Sequence, residues 1–441
     1  MQKSKSIAVS SNPQTMNSDV VSRTPFYYGW VILVVATFGM IMSSPGQTYA
    51  VSIFIEHFIQ ELGISRSLIS TLYTVGTLAS SFTLPWIGRQ IDHRGARLMM
   101  FTTAIIFGLV CIYMGFVLNA IMLGIGFFLL RMLGQGSLSL VCSNVINQWW
   151  VQKRGPLLGI SGVVSATLGL GAVPIVIHYL IPELGWRNTY MVLGLALLVV
   201  LAPISYFFIR NRPEDHGLLP DGIKAEAQSD AQDGEPKANA PQPVAEENWT
   251  RSEAMRTPIF WVFLLGLSSI ASLGTGLTFH IVSIFEDSGM SATLAATAFG
   301  PIAVTMAITN LASGFLVDRM RLRTLMSLGL LFQASSLWLV SYLSNTTMAI
   351  LFGIIMGITF GLMRTVHVVS WAKYYGRLHL GSITGVTATV TSAASALGPM
   401  PMGLARDALG SYGPTLMVLS VIPLVLAVVC LFVDRPQKST P

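Results

Sequence analysis

The sequence predicts an all-α integral membrane fold, with twelve transmembrane helices arranged as two six-helix bundles. Three observations carry that expectation. Charged residues are 10% of the 441, against a globular norm of roughly 25%, and mean hydropathy is +0.64. Twelve apolar stretches are long enough to cross a bilayer at ~20 residues per span. The chain also repeats itself. Trp30-Val31 returns as Trp261-Val262, and Val51-Ser52-Ile53-Phe54 returns as Val282-Ser283-Ile284-Phe285 at the same offset. At slightly shorter offsets, Gly63-Ile64-Ser65 is echoed by Gly289-Met290-Ser291, Gly88-x-x-x-Asp92 by Gly314-x-x-x-Asp318, and Trp149 by Trp371.

The twelve segments are expected at 28–54, 67–88, 97–118, 121–148, 156–180 and 188–209, then 258–285, 292–316, 323–343, 346–370, 380–403 and 412–433. They must be helices, because a lone strand cannot satisfy its backbone in lipid. The implied organisation is a polar tail (1–26), a first bundle (27–210), a linker (211–257), a second bundle (258–434) and a short tail (435–441). The linker is rich in Ala, Gln, Asp, Glu and Pro and is expected to be flexible, with a short surface helix starting between Trp249 and Thr257. The first 23 residues lack a signal peptide's apolar core and cleavage site.

An even number of spans puts both termini on one side. Of the 26 Lys plus Arg, Arg66, Arg187 and Arg406 fall on the far side and Arg131 and Arg364 within spans. The rest share the side of the termini, which the positive-inside rule makes cytoplasmic. The same placement explains a pI near 9.3 without nucleic acid. Cys111, Cys142 and Cys430 lie inside apolar runs with neither disulfide nor metal spacing. There is no nucleotide-binding loop and no catalytic constellation. Glu56-His57 is a lone pair, not a zinc motif. Neither an enzyme nor a cofactor or metal is expected.

Two loops carry a motif. Gly88-Arg-Gln-Ile-Asp92-His93-Arg94-Gly95-Ala96-Arg97 joins segments 2 and 3, and Gly314-Phe-Leu-Val-Asp318-Arg319-Met-Arg321-Leu-Arg323 joins segments 8 and 9. Both resemble the loop motif of the major facilitator superfamily. The first copy has His93 and Ala96 where basic residues are usual, and the second lacks the second Gly. The Gly is expected to let helices approach closely. Asp92, Arg97, Asp318 and Arg319 are expected to act in gating, as Asp–Arg contacts that hold one conformation. In segment 4, Arg131-Met-Leu-Gly134-Gln135-Gly136 resembles the superfamily's helix-4 Arg and Gly pattern. The run Asn147-Gln-Trp-Trp-Val-Gln-Lys-Arg-Gly155, with Gly185-Trp186-Arg187 and Arg212-Pro213-Glu214-Asp215, resembles the bacterial branch holding monocarboxylate porters and oxalate/formate antiporters.

That resemblance implies secondary transport by alternating access across the inner membrane, through a cavity lined by helices 1, 4, 7 and 10. Arg131 lies on 4, His280 on 7, and Arg364 and His367 on 10. No Asp or Glu lies within a span. Two buried cations without anions favour a small organic anion, a monocarboxylate or dicarboxylate. Porters of this branch commonly carry charges on helices 1, 8 or 11, which are uncharged here. An amphipathic metabolite or drug-like compound is therefore the alternative. Arg364 follows Gly353, Gly357 and Gly361 at helical spacing, which marks a face open to another backbone or to a ligand. Arg131 reads equally as a packing or gating residue and as a substrate contact. His280, the repeat-mate of Tyr49, reads as a hydrogen-bonded His or a proton carrier. Tyr49, Gln47 and Gln135 are candidate polar contacts, His178 a structural residue, and Asn310 a helix–helix hydrogen bond. Partners are the bilayer and the small molecule, with a monomer expected.

Topology is the first test. Single cysteines at Ser344 and Ser439 should label differently with an impermeant reagent on whole cells, Ser344 reacting and Ser439 protected. Equal labelling would refute twelve spans.

Overall fold

The computed structural model describes residues 21, 23–151, 153–222, 249–376, 380–434 and 436. Most of both tails and the centre of the linker lie outside the described residues, as do the side chains of Asp92 and Asp318. Among the described residues, twelve spanning helices are present. In the first half they are α1 (Gly29–Leu62), α2 (Arg66–Arg94), α3 (Ala96–Met114), α4 (Ala120–Trp149), α5 (154–184) and α6 (186–208). In the second they are α7 (Pro258–Asp287), α8 (292–319), α9 (Leu322–Ser341), α10 (Thr346–Tyr375), α11 (380–409) and α12 (Gly413–Phe432). Among the described residues, nine helical stretches are long and apolar enough to cross on composition alone. One of these, Pro156–Phe208, holds both α5 and α6, while α2 and α11 are not among the nine. Both of the latter are rich in Ser and Thr, which proves important below.

The internal echoes are helix punctuation. Gly63 ends α1 in the left-handed region (φ 62°), which a residue with a Cβ adopts only under strain. Ser65 then caps α2, its Oγ accepting from Leu68 N at 3.2 Å. The echo does the same work, with Gly289 at φ 74° and Ser291 Oγ accepting from Leu294 N at 3.2 Å. The structure reveals a further pair, Asn119 and Asn345, each capping the helix it precedes, α4 and α10. α5 and α6 are joined by a single turn at Gly185, φ 78°. A short helix, Arg251–Met255, opens the second half with a reciprocal cap between Thr250 and Glu253.

The end of the bundle that carries the described chain ends and the basic loops is called inner, and the opposite end outer. At the inner end of the first half, Tyr27 donates to Trp149 O at 2.8 Å, and Trp149 Nε1 donates to Arg210 O at 3.0 Å. Burial, with Asp221 and Glu214 nearby, pushes the Tyr27 hydroxyl above its ordinary range. Trp371, stacked on Tyr375 and packed against Phe260, is the counterpart in the second half.

Two glycine expectations need correction. A Cβ at Gly88 or Gly314 would meet no described atom within 4 Å. In this structure the motif glycines are not close-packing positions, because they face open space and not the neighbouring helix. Close approach occurs elsewhere. A Cβ at Gly398 would sit 2.0 Å from Ser272 O, where α11 crosses α7. Gly353, Gly357 and Gly361 lie against carbonyls of Ala298, Ile302 and Met306 on α8. The stripe therefore receives another backbone, not a ligand. Asn310 Oδ1 accepts from Thr365 Oγ1 across the same contact at 3.1 Å.

Gly398→Ala should therefore cost about 1–3 kcal/mol by overpacking. It should melt clearly earlier in detergent than Gly385→Ala, whose Cβ would meet nothing within 4 Å. Equal melting of the two variants would contradict this contact.

Candidate functional site

A cavity of about 560 Å³ lies between the two halves. Its depth is marked by Thr48 on α1, Arg131 on α4 and Thr278 on α7, and its inner reaches by Leu84, Arg364 and His367. The hydroxyls Thr77, Ser80 and Ser81 on α2 recur at i, i+3 and i+4 and so share one face. Thr391, Ser392 and Ser395 face them from α11. Leu267, Ile270, Phe360 and Met363 supply the apolar wall. No Asp or Glu lines the cavity among the described residues.

Arg131 is 3% exposed and is wrapped from three sides. Helix α1 breaks at Ser44–Gly46, where Pro45 cannot donate a backbone bond. The break turns Gly46 O toward Arg131, whose Nη1 donates to it at 3.2 Å and to Thr48 Oγ1 at 3.3 Å. The Tyr73 ring lies 5.2 Å below the guanidinium. Glycine is required at 46, since a Cβ would sit 2.3 Å from Leu130 O. Arg131 itself opens a π-helical stretch, Arg131–Leu138, that rotates the next residues of α4, and Gln135 in that stretch faces the cavity. The Arg131 Nε–H is buried without a hydrogen-bond partner among the described residues.

Arg364 is held more loosely. It has no hydrogen-bond or ion-pair partner among the described residues, and it lies against α5, where a Cβ at Gly162 would sit 2.9 Å from Nη2. His367 lines the cavity one helical turn further in. The structure thus brings Arg131, Gln135, Arg364 and His367 around one space.

His280 and Tyr49 are placed elsewhere. His280 is 1% exposed and does not line the cavity. Its Nε2 lies 2.9 Å from Pro399 O and 3.4 Å from Ser70 Oγ, and its Nδ1 lies 3.1 Å from the Tyr412 hydroxyl. A carbonyl only accepts, so Nε2 carries the proton, and the Tyr412 hydroxyl lies between Nδ1 and Ser283 Oγ, to which it donates at 3.2 Å. Tyr49 bonds Ser44 Oγ at 2.9 Å and meets Phe299 of the other half, with ring centroids 6.4 Å apart. Both belong to a seal over the outer end of the cavity. The other contacts across that seal are Tyr73 on Phe279, His178 to Thr293 at 2.8 Å, and Gly171 against Ala303. Asp407 of α11 closes it, its Oδ2 accepting from Ser67 N at 2.7 Å and so capping the first turn of α2 from the opposite half. Among the described residues, no hydrogen bond or ring contact joins the halves at the inner end.

Of the expected gating residues, Arg97 stays within its own half. Its N–H donates to Asn211 Oδ1, its Nε to Tyr206 O at 2.9 Å, and its guanidinium covers the Tyr206 ring. Arg319 is exposed beside a basic cavity at the inner end. The hydroxyls of α2 and α11 escaped the sequence reading. Their signal was present, as Ser and Thr spaced along one face of segments otherwise apolar enough to pass as spans.

Two helical bundles around a polar cavity sealed at one end define a membrane carrier. The chain belongs to the Major Facilitator Superfamily, whose model matches residues 36–399 and 286–441. It is 25% identical over 307 residues to the oxalate:formate antiporter of Oxalobacter formigenes, covering 69% of this chain and 64% of that protein, less than two thirds of its length. It is 23% identical over 399 residues to a "Probable sulfoacetate transporter" of Cupriavidus necator, covering 85% and 87%. It is 30% identical over 161 residues to a "Probable L-galactonate transporter" of Escherichia coli K12, covering 35% and 33%. Among solved structures it resembles a bacterial homologue of the human lysosomal transporter Spinster in an inward-facing, occupied conformation, with TM-score 0.64 and 16% identity over 93% of this chain and 98% of that one. That likeness concerns the fold.

The seal generates a prediction. Asp407→Ala removes the inter-half cap, an interaction of roughly 0.5–2 kcal/mol. Ala303→Cys, buried against Gly171, should then react severalfold faster with a thiol reagent than in the Asp407 background. The native cysteines are buried. An unchanged labelling rate would show that Asp407 does not hold the outer end.

Proposed function

We propose that the chain is a secondary active transporter that moves a small organic anion, a monocarboxylate or dicarboxylate, across the bacterial inner membrane by alternating access. Both termini are cytoplasmic in this reading, and the described state is open toward the cytoplasm. One observation carries it. Two guanidiniums face a membrane-embedded cavity whose described lining holds no carboxylate to neutralise them. A cation at this depth costs ~2.5–3.5 kcal/mol or more, and an anionic substrate offsets that cost. The names of these three relatives support it, since each refers to an organic anion.

Arg131 is the fixed contact, pre-oriented by Gly46 and Thr48. Arg364 is the mobile one, free to follow the ligand. Gln135 and the hydroxyls of α2 and α11 complete the anion's hydrogen bonds. His280 and Tyr49 act through the outer seal that must part for release, and Asp92, Arg97, Asp318 and Arg319 act in gating at the inner end. With no carboxylate among the described lining residues, a coupling proton travels on the substrate or on His367, or the carrier exchanges anions without one. A larger amphipathic substrate is the second reading, favoured by a space of about 560 Å³ walled by Phe360, Met363 and Ile270.

Uptake into liposomes separates the two. A charged hydrogen bond in such a site is worth ~1.5–3 kcal/mol, so Arg364→Ala should lower uptake of a carboxylate about tenfold or more. Arg364→Lys, which keeps the charge and loses the planar fork, should lie between. Arg131→Lys should fail severely, because the Gly46 carbonyl and Tyr73 ring are shaped around a guanidinium. Normal uptake by Arg364→Ala would sink the anion reading and leave the amphipathic one.

A further inference from the structure

At the inner end of the second half, four cations converge on a second cavity, of about 450 Å³. Arg319 ends α8, Arg321 lies in the turn that follows, Arg323 is in the first turn of α9, and Lys373 is in the last turn of α10. Asp434 is the one carboxylate among the described lining residues, and it is already paired with Arg323 at 2.7 Å. Arg319 and Arg321 are exposed and have no hydrogen-bond or ion-pair partner among the described residues. Lys373 donates to Val317 O at 3.1 Å, which leaves two of its three N–H groups. Tyr374, held edge-on against Phe263 at 5.3 Å, forms part of the wall.

We propose that this cavity binds the phosphate of an anionic phospholipid headgroup. The positive-inside bias accounts for cations at this end of the molecule, but not for their convergence on one concave site with spare donors. Planar guanidiniums suit a phosphate's oxygens, two at a time. The surroundings select lipid over a soluble anion. Phe315, one turn before Arg319, is 74% exposed, and Phe432, next to the cavity-lining Val433, is 80% exposed. Such side chains lie against acyl chains, so the cavity sits where a headgroup would be delivered. The first half offers a contrast. Arg97 and its equivalent Arg323 are both engaged, by Tyr206 O and by Asp434, but at the positions equivalent to Arg319 and Arg321 the first half carries His93 and Gly95, so the two unpartnered guanidiniums belong to the second half.

The test uses the full chain in detergent micelles doped with phosphatidylglycerol or phosphatidylcholine, with retained lipid read by native mass spectrometry. The wild type should retain phosphatidylglycerol and release phosphatidylcholine. Arg319→Gln/Arg321→Gln should lose retention about thirtyfold, at roughly fivefold per charge near a membrane surface. Arg319→Lys/Arg321→Lys should keep most of it, which separates lost charge from lost folding. Arg251→Gln/Arg256→Gln, at the same end but outside the cavity, should behave as wild type. The proposal is overturned if the Arg319/Arg321 glutamine variant retains the lipid like the wild type. It is also overturned if phosphatidylcholine is held as well, or if the Arg251/Arg256 variant loses as much. Inorganic phosphate at millimolar concentration stripping the phosphatidylglycerol would show a soluble-anion site, and would overturn it too. No transported substrate enters the measurement, so its outcome is independent of the organic-anion reading.

Discussion

A guanidinium placed at membrane depth must be wrapped in carbonyls and hydroxyls, and the centre of this molecule is arranged to do so for Arg131. An unbroken α1 would keep its carbonyls within its own hydrogen-bond ladder. The interruption at Ser44–Gly46 releases one of them, and only glycine permits α4 to come close enough to use it. The aromatic floor of Tyr73 then reaches across to Phe279 of the other half. The residue that carries the central charge is thus one contact away from the surface where the halves meet. Chemistry in the cavity and closure above it share a wall.

Apart from the ring pairs Tyr49–Phe299 and Tyr73–Phe279, the outer seal is made of small parts. Gly171 meets Ala303, a Cβ at Gly403 would touch Ser70, and a handful of hydrogen bonds cross between the halves. Contacts of this kind are individually worth about 1 kcal/mol, which suits a surface that must part and re-form. By contrast, each half is packed within itself through large buried aromatics, Phe54, Phe58 and Tyr190 in the first and Phe260, Trp371 and Tyr375 in the second. Large side chains dominate the packing inside each half, whereas the seal combines two aromatic pairs with small residues and single hydrogen bonds.

The number and kind of helices were legible in the sequence because lipid removes the alternatives. Any apolar run of sufficient length must be a helix. The repeat was legible too, and the structure shows that its best-preserved fragments are caps and left-handed turns, where geometry restricts the choice of residue. Span ends were less legible. α1 runs to Leu62 and α10 to Tyr375, past the apolar stretch, since cap chemistry and not hydropathy stops them. Arg131, Gln135, Arg364 and His367 are placed around one cavity, and charge at membrane depth is what singled out the arginines. His280 drew attention for the same reason but lies within the seal, because a neutral imidazole can be satisfied by a carbonyl and a phenol far from any ligand. The hydroxyls of α2 and α11 were missed since Ser and Thr hide in a helix by bonding to its own backbone, and only the opposite half shows which of them face inward.

The packing of α10 on α8 has a mechanical consequence. Where Gly353, Gly357 and Gly361 meet the α8 carbonyls, no compressible side chain separates the two backbones. The pair therefore behaves as a single stiff rod whose long axis runs the depth of the molecule. Past its midpoint, toward the inner end, that rod bears Arg364. Its outer part bears Phe299 and Gly300, which rest on Tyr49 and Gly171 of the first half. A displacement applied at the arginine is delivered, undamped, to the roof.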